Sequence, residues 1–291
     1  MPNSTHPKRL TNVQVSEFLV KHNIKRDIEL LAVAKERKDE GQMDLANFVL
    51  SKSSKVLNEL IDKTWKMETA NENIQRETKS RMEILRDKLG QDCCSGCDKL
   101  WLKCAMEVPR NNKVHPFVYA AAVRDLLING RGKFRNILII GPANCGKTFM
   151  LKPLEAIYNV FLKPANDKYA WVGADSAEAI LLLDFRWSRE MIPWNDLLLL
   201  LEGETVKLPA PKNQFSSDVI ISKDTPIFAS SKSRITYVGK FNVSDERETE
   251  MMTIRWKVIE FNHQIPEWEQ KRPNPCARCF AELALLGEED I

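Results

Sequence analysis

The string GPANCGKT, Gly141 to Thr148, restricts the possible folds of this chain more than any other feature. It fits G-x-x-x-x-G-K-[S/T] at every fixed position, a spacing that lets backbone close around an anion before a lysine and a hydroxyl open a helix. Such a loop needs a buried strand ahead of it and a helix behind. Ile137 to Ile140 supplies the strand as an unbroken apolar run. Phe149 to Leu162 has helical spacing as far as Lys163-Pro164, with Pro153 expected to bend the helix slightly. In that arrangement backbone N–H groups and the helix N-terminus surround a β-phosphate, Lys147 reaches the β and γ oxygens, and Thr148 offers its hydroxyl to Mg²⁺. The expected nucleotide-binding residues are therefore Gly141, Pro142, Ala143, Asn144, Cys145, Gly146, Lys147 and Thr148.

The pattern around the loop is that of an α/β domain. Short β-branched and Leu-rich runs at Asn136 to Ile140, Ala170 to Val172, Ala179 to Leu183, Val219 to Ile221, Pro226 to Ser230 and Thr253 to Phe261 alternate with helical stretches. That alternation implies a mainly parallel sheet. Ahead of it, Thr11 to Leu89 has no proline and a single glycine, Gly41, and reads as helices. Short amphipathic helices break near Asn23 and Gly41, and Lys55 to Lys88 could form one long helix with a weak apolar seam. The polar positions in the seam favour packing on the same chain over self-association. The expected organisation is a helical region over residues 1–110 for oligomerisation or docking, a phosphate-loop domain over 111–270, and a tail over 271–291 carrying Cys-x-x-Cys.

An acid is needed near the loop to hold the water shell of a magnesium ion. Asp184 stands at the end of the apolar run Ala179 to Leu183 and is the candidate. Phe185 follows it, where many ATPases carry a second acid, so hydrolysis is less strongly implied than binding. An Asn-Lys-x-Asp guanine reader is missing, which sets GTPases aside, and no Arg-rich lid supports a small-molecule kinase.

Charge and cysteine usage bound the partners. Lys plus Arg number 43 against 40 Asp plus Glu, which excludes a generally basic coat for polyanions. No apolar run approaches the ~18 residues that would cross a bilayer, so an intracellular chain without membrane attachment is expected, nuclear if its source is eukaryotic or viral. Seven cysteines, an odd number, favour free or metal-bound thiols. Cys94 and Cys97 with Cys276 and Cys279 could make a four-thiolate zinc site joining the two ends of the domain. Cys93, Cys97 and Cys104 with His115 are a local alternative, and reduced thiols without metal a third.

The order of these features resembles the superfamily-three DNA helicases, the AAA+-like replication ATPases of small DNA viruses such as parvoviruses and papillomaviruses. GPANCGKT is similar to their motif A, and the strand ending in Asp184 to motif B. LLLLLEGETVKLPAPKN, Leu197 to Asn213, is similar to the motif that leads into a lysine-bearing hairpin. The strand ending Ser230-Ser231-Lys232 resembles motif C, with Ser231 or Lys232 in place of its asparagine. ERETEMMTIRWKVIEF, Glu246 to Phe261, resembles the segment that carries an arginine before a terminal strand.

The resemblance implies an AAA+-like ATPase that binds ATP and Mg²⁺ at subunit junctions of a homo-hexamer or other ring and moves along single-stranded DNA. Lys147, Asp184 and Arg255 would be catalytic, with Arg255 offered to the neighbouring subunit's ATP. Lys207 or Lys212 would grip the strand. The alternative is an ATP-binding remodelling or assembly module with weak or lost hydrolysis. A nicking nuclease ahead of the ATPase is not expected, because residues 1–110 lack a His-hydrophobe-His motif and any tyrosine.

Overall fold

The computed structural model describes residues 10–162, 169–211, 218–238 and 245–288. Two compact units divide the chain between Thr78 and Lys79. The first is helical: α1 (Asn12–Lys21), α2 (Asp27–Asp39), α3 (Asp44–Leu50) and α4 (Ser54–Glu77). Their small core includes Val15, Leu19, Leu30, Leu45, Phe48, Leu57 and Ile61. Trp65 donates its indole N–H to the Ile24 carbonyl at 2.7 Å and ties α4 to the turn after α1.

The single long helix expected over Lys55 to Lys88 is two. α4 stops at Glu77 and α5 (Arg81–Asp87) restarts behind Ser80, whose side chain accepts from the Glu83 amide while Glu83 accepts from the Ser80 N–H at 2.7 Å. This reciprocal cap satisfies amides that would otherwise be orphaned, so the break is a built helix start. The unit boundary falls here, some thirty residues before the expected one. α5 and α6 (Leu100–Asn111) belong to the second unit, as does the C-terminal α11 (Ala277–Ala284).

The second unit is built on a five-stranded parallel sheet in the order β2-β3-β6-β1-β7. Its strands are β1 (Asn136–Ile140), β2 (Val160–Leu162), β3 (Ala179–Leu182), β6 (Ile227–Ser231) and β7 (Trp256–Glu260). Alternate residues enter opposite cores, as a two-residue period requires. Ile137, Ile139, Leu181 and Phe228 face a layer made by α5, α6, α7 (Pro116–Asn129) and α11. Leu138, Ile140, Ile180, Leu182 and Ala229 face the other side, where α9 (Trp194–Glu202) and the antiparallel pair β4 (Val206–Leu208) and β5 (Val219–Ile221) pack.

Three local expectations are corrected. Ala170 to Val172 is turn, not strand: Trp171 is buried against Phe161, with its indole N–H on the Met191 carbonyl at 3.1 Å. Val219 to Ile221 pairs only with β4, outside the parallel sheet. The helix after the phosphate loop, α8 (Lys147–Leu151), has only five residues, because Pro153 tightens the chain into a 3₁₀ turn over Lys152–Ala156 before β2 begins. α10 (Glu246–Thr253) completes the set. Among the described residues no helix is long and apolar enough to cross a membrane.

Candidate functional site at the C-terminal edge of the sheet

The GPANCGKT loop leaves β1 directly and enters α8, at the carboxyl edge where parallel sheets bind ligands. Two glycines are needed for different reasons. Gly141 has φ of +150°, and a Cβ there would lie 1.8 Å from the Phe261 carbonyl oxygen. Gly146 has φ of +89°, and a Cβ would press on Val108 at 2.9 Å. The chain beyond β7 holds the loop from its other side. Phe261 donates to the Ile140 carbonyl at 2.8 Å, Ile265 to that of Asn144 at 2.9 Å, and the Gln264 amide to that of Ala143 at 3.2 Å.

Lys147 is buried at the base of the loop, its ammonium donating to the carbonyls of Gly141 at 2.8 Å and Pro142 at 2.5 Å. The Cys145 thiol donates to the same Pro142 carbonyl at 3.1 Å and serves the shape of the loop. Charged phosphate oxygens are stronger acceptors than these neutral carbonyls, so the ammonium is already positioned to exchange one set for the other.

The adjoining strand ends complete the edge. Gly141 donates to the Ser231 carbonyl of β6 at 3.3 Å, and Ser230 accepts through its hydroxyl from the Asp184 amide at 3.0 Å. Asp184 is exposed, with φ of +47°. Phe185 is buried in the core below it and donates to the Ser230 carbonyl at 2.7 Å. Thr148 is also exposed. Among the described residues neither the Thr148 hydroxyl nor the Asp184 carboxylate has a protein partner. A hydroxyl and a carboxylate on the edge that carries a buried lysine are hard oxygen donors of the kind Mg²⁺ takes, so these residues fit that ion.

A cavity of about 550 Å³ opens beside the loop. Cys104, Glu107, Val108 and Asn111 of α6 form one wall, Asn144, Gly146 and Phe149 the loop side, and His263 to Pro273 contribute the other wall. This volume is within the range of small-ligand pockets. Sequence reading missed both outer walls, because they lie far from the loop in the chain and carry no motif.

The expected strand-gripping lysines are on the β4–β5 pair or beyond it. Lys207 is exposed on β4 opposite Ile220, with Asp218 at 3.3 Å, while Lys212 lies outside the described residues. The base of the hairpin is held by a residue with no sequence signal, Arg131. Its fully buried guanidinium donates to the carbonyls of Leu200 at 2.6 Å, Glu204 at 2.9 Å, Lys223 at 2.9 Å and Ile221 at 3.1 Å. One planar fork thus ties α9 to both legs of the hairpin. Burial pushes the guanidinium pKa down, against the pull of Asp224 and Glu204.

Arg255 is not placed as a residue that reaches a neighbouring subunit. It is buried, with donations to the carbonyls of Leu198 at 2.9 Å and Met251 at 2.5 Å and an ion pair with Glu202 at 2.5 Å. It also precedes β7, at the sheet edge opposite the phosphate loop. Lys133, together with Arg255, holds the Glu202 carboxyl below the ordinary range. The arginine is spent on joining α9 to α10 and β7.

The cysteines do converge, with one change of member. Cys93, Cys97, Cys276 and Cys279 have their sulfurs within 4.8 Å of one another, so Cys93 takes the place expected for Cys94. Cys104 lies in the cavity wall and His115 caps α7; neither joins this group. Burial opposes ionisation of Cys276, but backbone amides of Cys279 and Cys94 and the thiols of Cys279 and Cys97 draw its pKa down to about 7.

Fold and edge together define an α/β protein of the phosphate-loop kind. Compared with solved structures, the chain is similar to JC virus helicase, in a crystal structure with a bound thiazolopyridinyl-phenoxyphenyl acetamide. The TM-score is 0.51 at 11% identity, over 88% of this chain and 78% of that one. At that identity the likeness is one of fold, a helicase-like architecture. No protein-family model and no curated protein matches the sequence.

Proposed function

We propose that the chain is an ATP-dependent DNA helicase or translocase of the superfamily-three replication type, working as a ring with ATP at its subunit junctions. The observation that carries this reading is the buried Lys147 ammonium inside a glycine-framed loop, on the same sheet edge as exposed Thr148 and Asp184. In it, Lys147 exchanges the Gly141 and Pro142 carbonyls for β and γ phosphate oxygens, and loop amides take the remaining charge. Thr148 and Asp184 would hold Mg²⁺, which when bound neutralises charge on the β and γ oxygens. The cavity between α6 and residues 263–273 accepts the nucleoside end. The hairpin presents Lys207 to the strand as a point charge, a contact that reads phosphate without reading sequence. A ring multiplies that single lysine, which reconciles a near-neutral chain with DNA in its channel.

The burial of Phe185 favours a second reading. An acid cannot be accommodated at that position without entering the core, so no carboxylate beside Asp184 is available to orient water. An ATP-binding remodelling or assembly module with weak or lost hydrolysis has the same loop.

ATP turnover measured with and without single-stranded DNA separates the two. The helicase reading predicts that DNA stimulates turnover and that Lys207→Ala weakens the stimulation severalfold. The Lys207 pair with Asp218 is exposed, so the substitution should alter stability by less than about 0.5 kcal/mol. Turnover indifferent to DNA contradicts the helicase reading and leaves an ATPase; nucleotide bound without turnover favours the remodelling module.

A further inference from the structure

We propose that Cys93, Cys97, Cys276 and Cys279 form a structural zinc site that clamps together the two outer walls of the cavity beside the phosphate loop. The geometry is that of a ligand set. Cys93 and Cys97 each lie 3.7 Å, sulfur to sulfur, from Cys279. Four thiolates at the usual zinc–sulfur distance of about 2.3 Å form a tetrahedron with edges of about 3.8 Å. A disulfide would need about 2.05 Å, and all seven cysteines are free. Sulfurs within 4.8 Å of one another leave room for one ion and not for a multi-iron cluster.

The backbone around the sulfurs is shaped to hold them. Cys93 to Cys97 closes as a tight turn, with Cys97 donating to the Cys94 carbonyl at 3.0 Å and Gly96 at φ of +72°. Asp98 and Lys99 follow in the left-handed region, a run of strained residues that persists only where something else fixes the turn. On the other side Cys276 stands at the N-terminal boundary of α11 and Cys279 lies in its first turn, so both sulfurs leave one helix end. Four thiolates on one divalent ion carry surplus negative charge, and Arg278, between the two C-terminal cysteines, has a buried Nε with no protein partner.

Placement supplies the consequence. The Cys93–Cys97 turn runs directly into α6, which carries Val108 and Asn111 in one wall of the cavity. Residues 263–273, the opposite wall, run directly into Cys276. A metal bonded to both pairs fixes the separation of the two walls, and the Cys276–Cys279 pair anchors the segment whose Ile265 binds the loop at Asn144. The metal claim stands on the cysteines alone. Its effect on the cavity rests on the nucleotide reading above.

The test is metal content of the full-length protein purified without chelator from zinc-supplemented cells. One zinc per chain is expected, retained in Cys94→Ser and Cys104→Ser and lost in Cys93→Ser and Cys279→Ser. Cobalt substitution should give the thiolate charge-transfer bands of a tetrahedral four-sulfur site. Wild-type protein free of zinc with all seven thiols titratable overturns the proposal, as does full zinc retention by Cys279→Ser. Chelation of wild-type protein, which needs no variant to fold, should weaken binding of a non-hydrolysable ATP analogue by about tenfold, reversibly on zinc addition. Zinc bound with no nucleotide binding at all would sink the nucleotide reading and uphold the metal site. Equal analogue affinity with and without zinc overturns the clamp.

Discussion

Replacing Lys147 by alanine should reduce ATP turnover by about a thousandfold, equivalent to roughly 4 kcal/mol of lost transition-state stabilisation. The size follows from where the ammonium sits. It is the one cation buried inside the loop, it is held by carbonyls that phosphate oxygens can replace, and no other lysine or arginine among the described residues bonds to residues 141–148. A more distant cation would act through water and be screened. The substitution removes hydrogen bonds only from within the loop itself, from the Gly141 and Pro142 carbonyls and the Cys145 sulfur, so the sheet beneath should stay folded. A steady-state assay of Lys147→Ala at saturating magnesium, with a thermal scan of the same sample, checks both halves. A loss under tenfold would show that the loop does not carry the chemistry.

The largest effect on stability is expected at Arg131. Replacing it with methionine, which keeps an unbranched stem and removes the fork, leaves the carbonyls of Leu200, Glu204, Ile221 and Lys223 without their charged donor. Each buried acceptor left short costs about 1 to 3 kcal/mol, and partial relaxation should bring the total to about 3 kcal/mol or more. For a unit of this size that lowers Tm by roughly 6 to 12 °C. Arg131→Lys should recover little, since a single ammonium cannot meet four acceptors arranged around a planar group. Because the fork holds both legs of the hairpin, stimulation by DNA should fall further than nucleotide binding in either variant. Denaturant titration, with turnover measured on the folded fraction, reads both. A Tm within 2 °C of the parent would contradict the assignment.

Four of the five strands of the central sheet were legible in the sequence because their information is local, whereas β2 lies in the stretch expected to continue the helix after the loop. Ile137 to Ile140 and Ala179 to Leu182 are short apolar runs bounded by loop signals, and the glycines and lysine of the loop are required by backbone approach at one point. What sequence could not show was the meaning of long-range pairing. Arg255 follows a charged helix just as an exposed arginine would, and only the fold reveals Glu202 and the Leu198 carbonyl waiting for it. Trp171 sits in a run that reads as a strand but is used as an anchor for a turn. Cys93 and Cys94 are adjacent and chemically identical, so spacing alone cannot select between them; the folded positions of their sulfurs do. The cavity walls were illegible for the same reason, being brought to the loop by α6 and by the segment after β7 rather than by any motif.

The sheet edge also explains why hydrolysis is the more demanding part of the proposal. Asp184 is exposed just beyond β3, whereas Phe185 is committed to the core. Binding needs only the loop, the lysine and the oxygen donors. Turnover needs a group to orient water, and no carboxylate follows Asp184 to do so.

The most direct measurement is equilibrium titration of the purified chain with a fluorescent non-hydrolysable ATP analogue in the presence of Mg²⁺, in parallel with Lys147→Ala. Saturable binding of one analogue per chain, competed by ATP and lost on the substitution, is the predicted result. Binding of equal strength in the two proteins, or none in the parent, would contradict the claim that residues 141–148 cradle a nucleotide's phosphates.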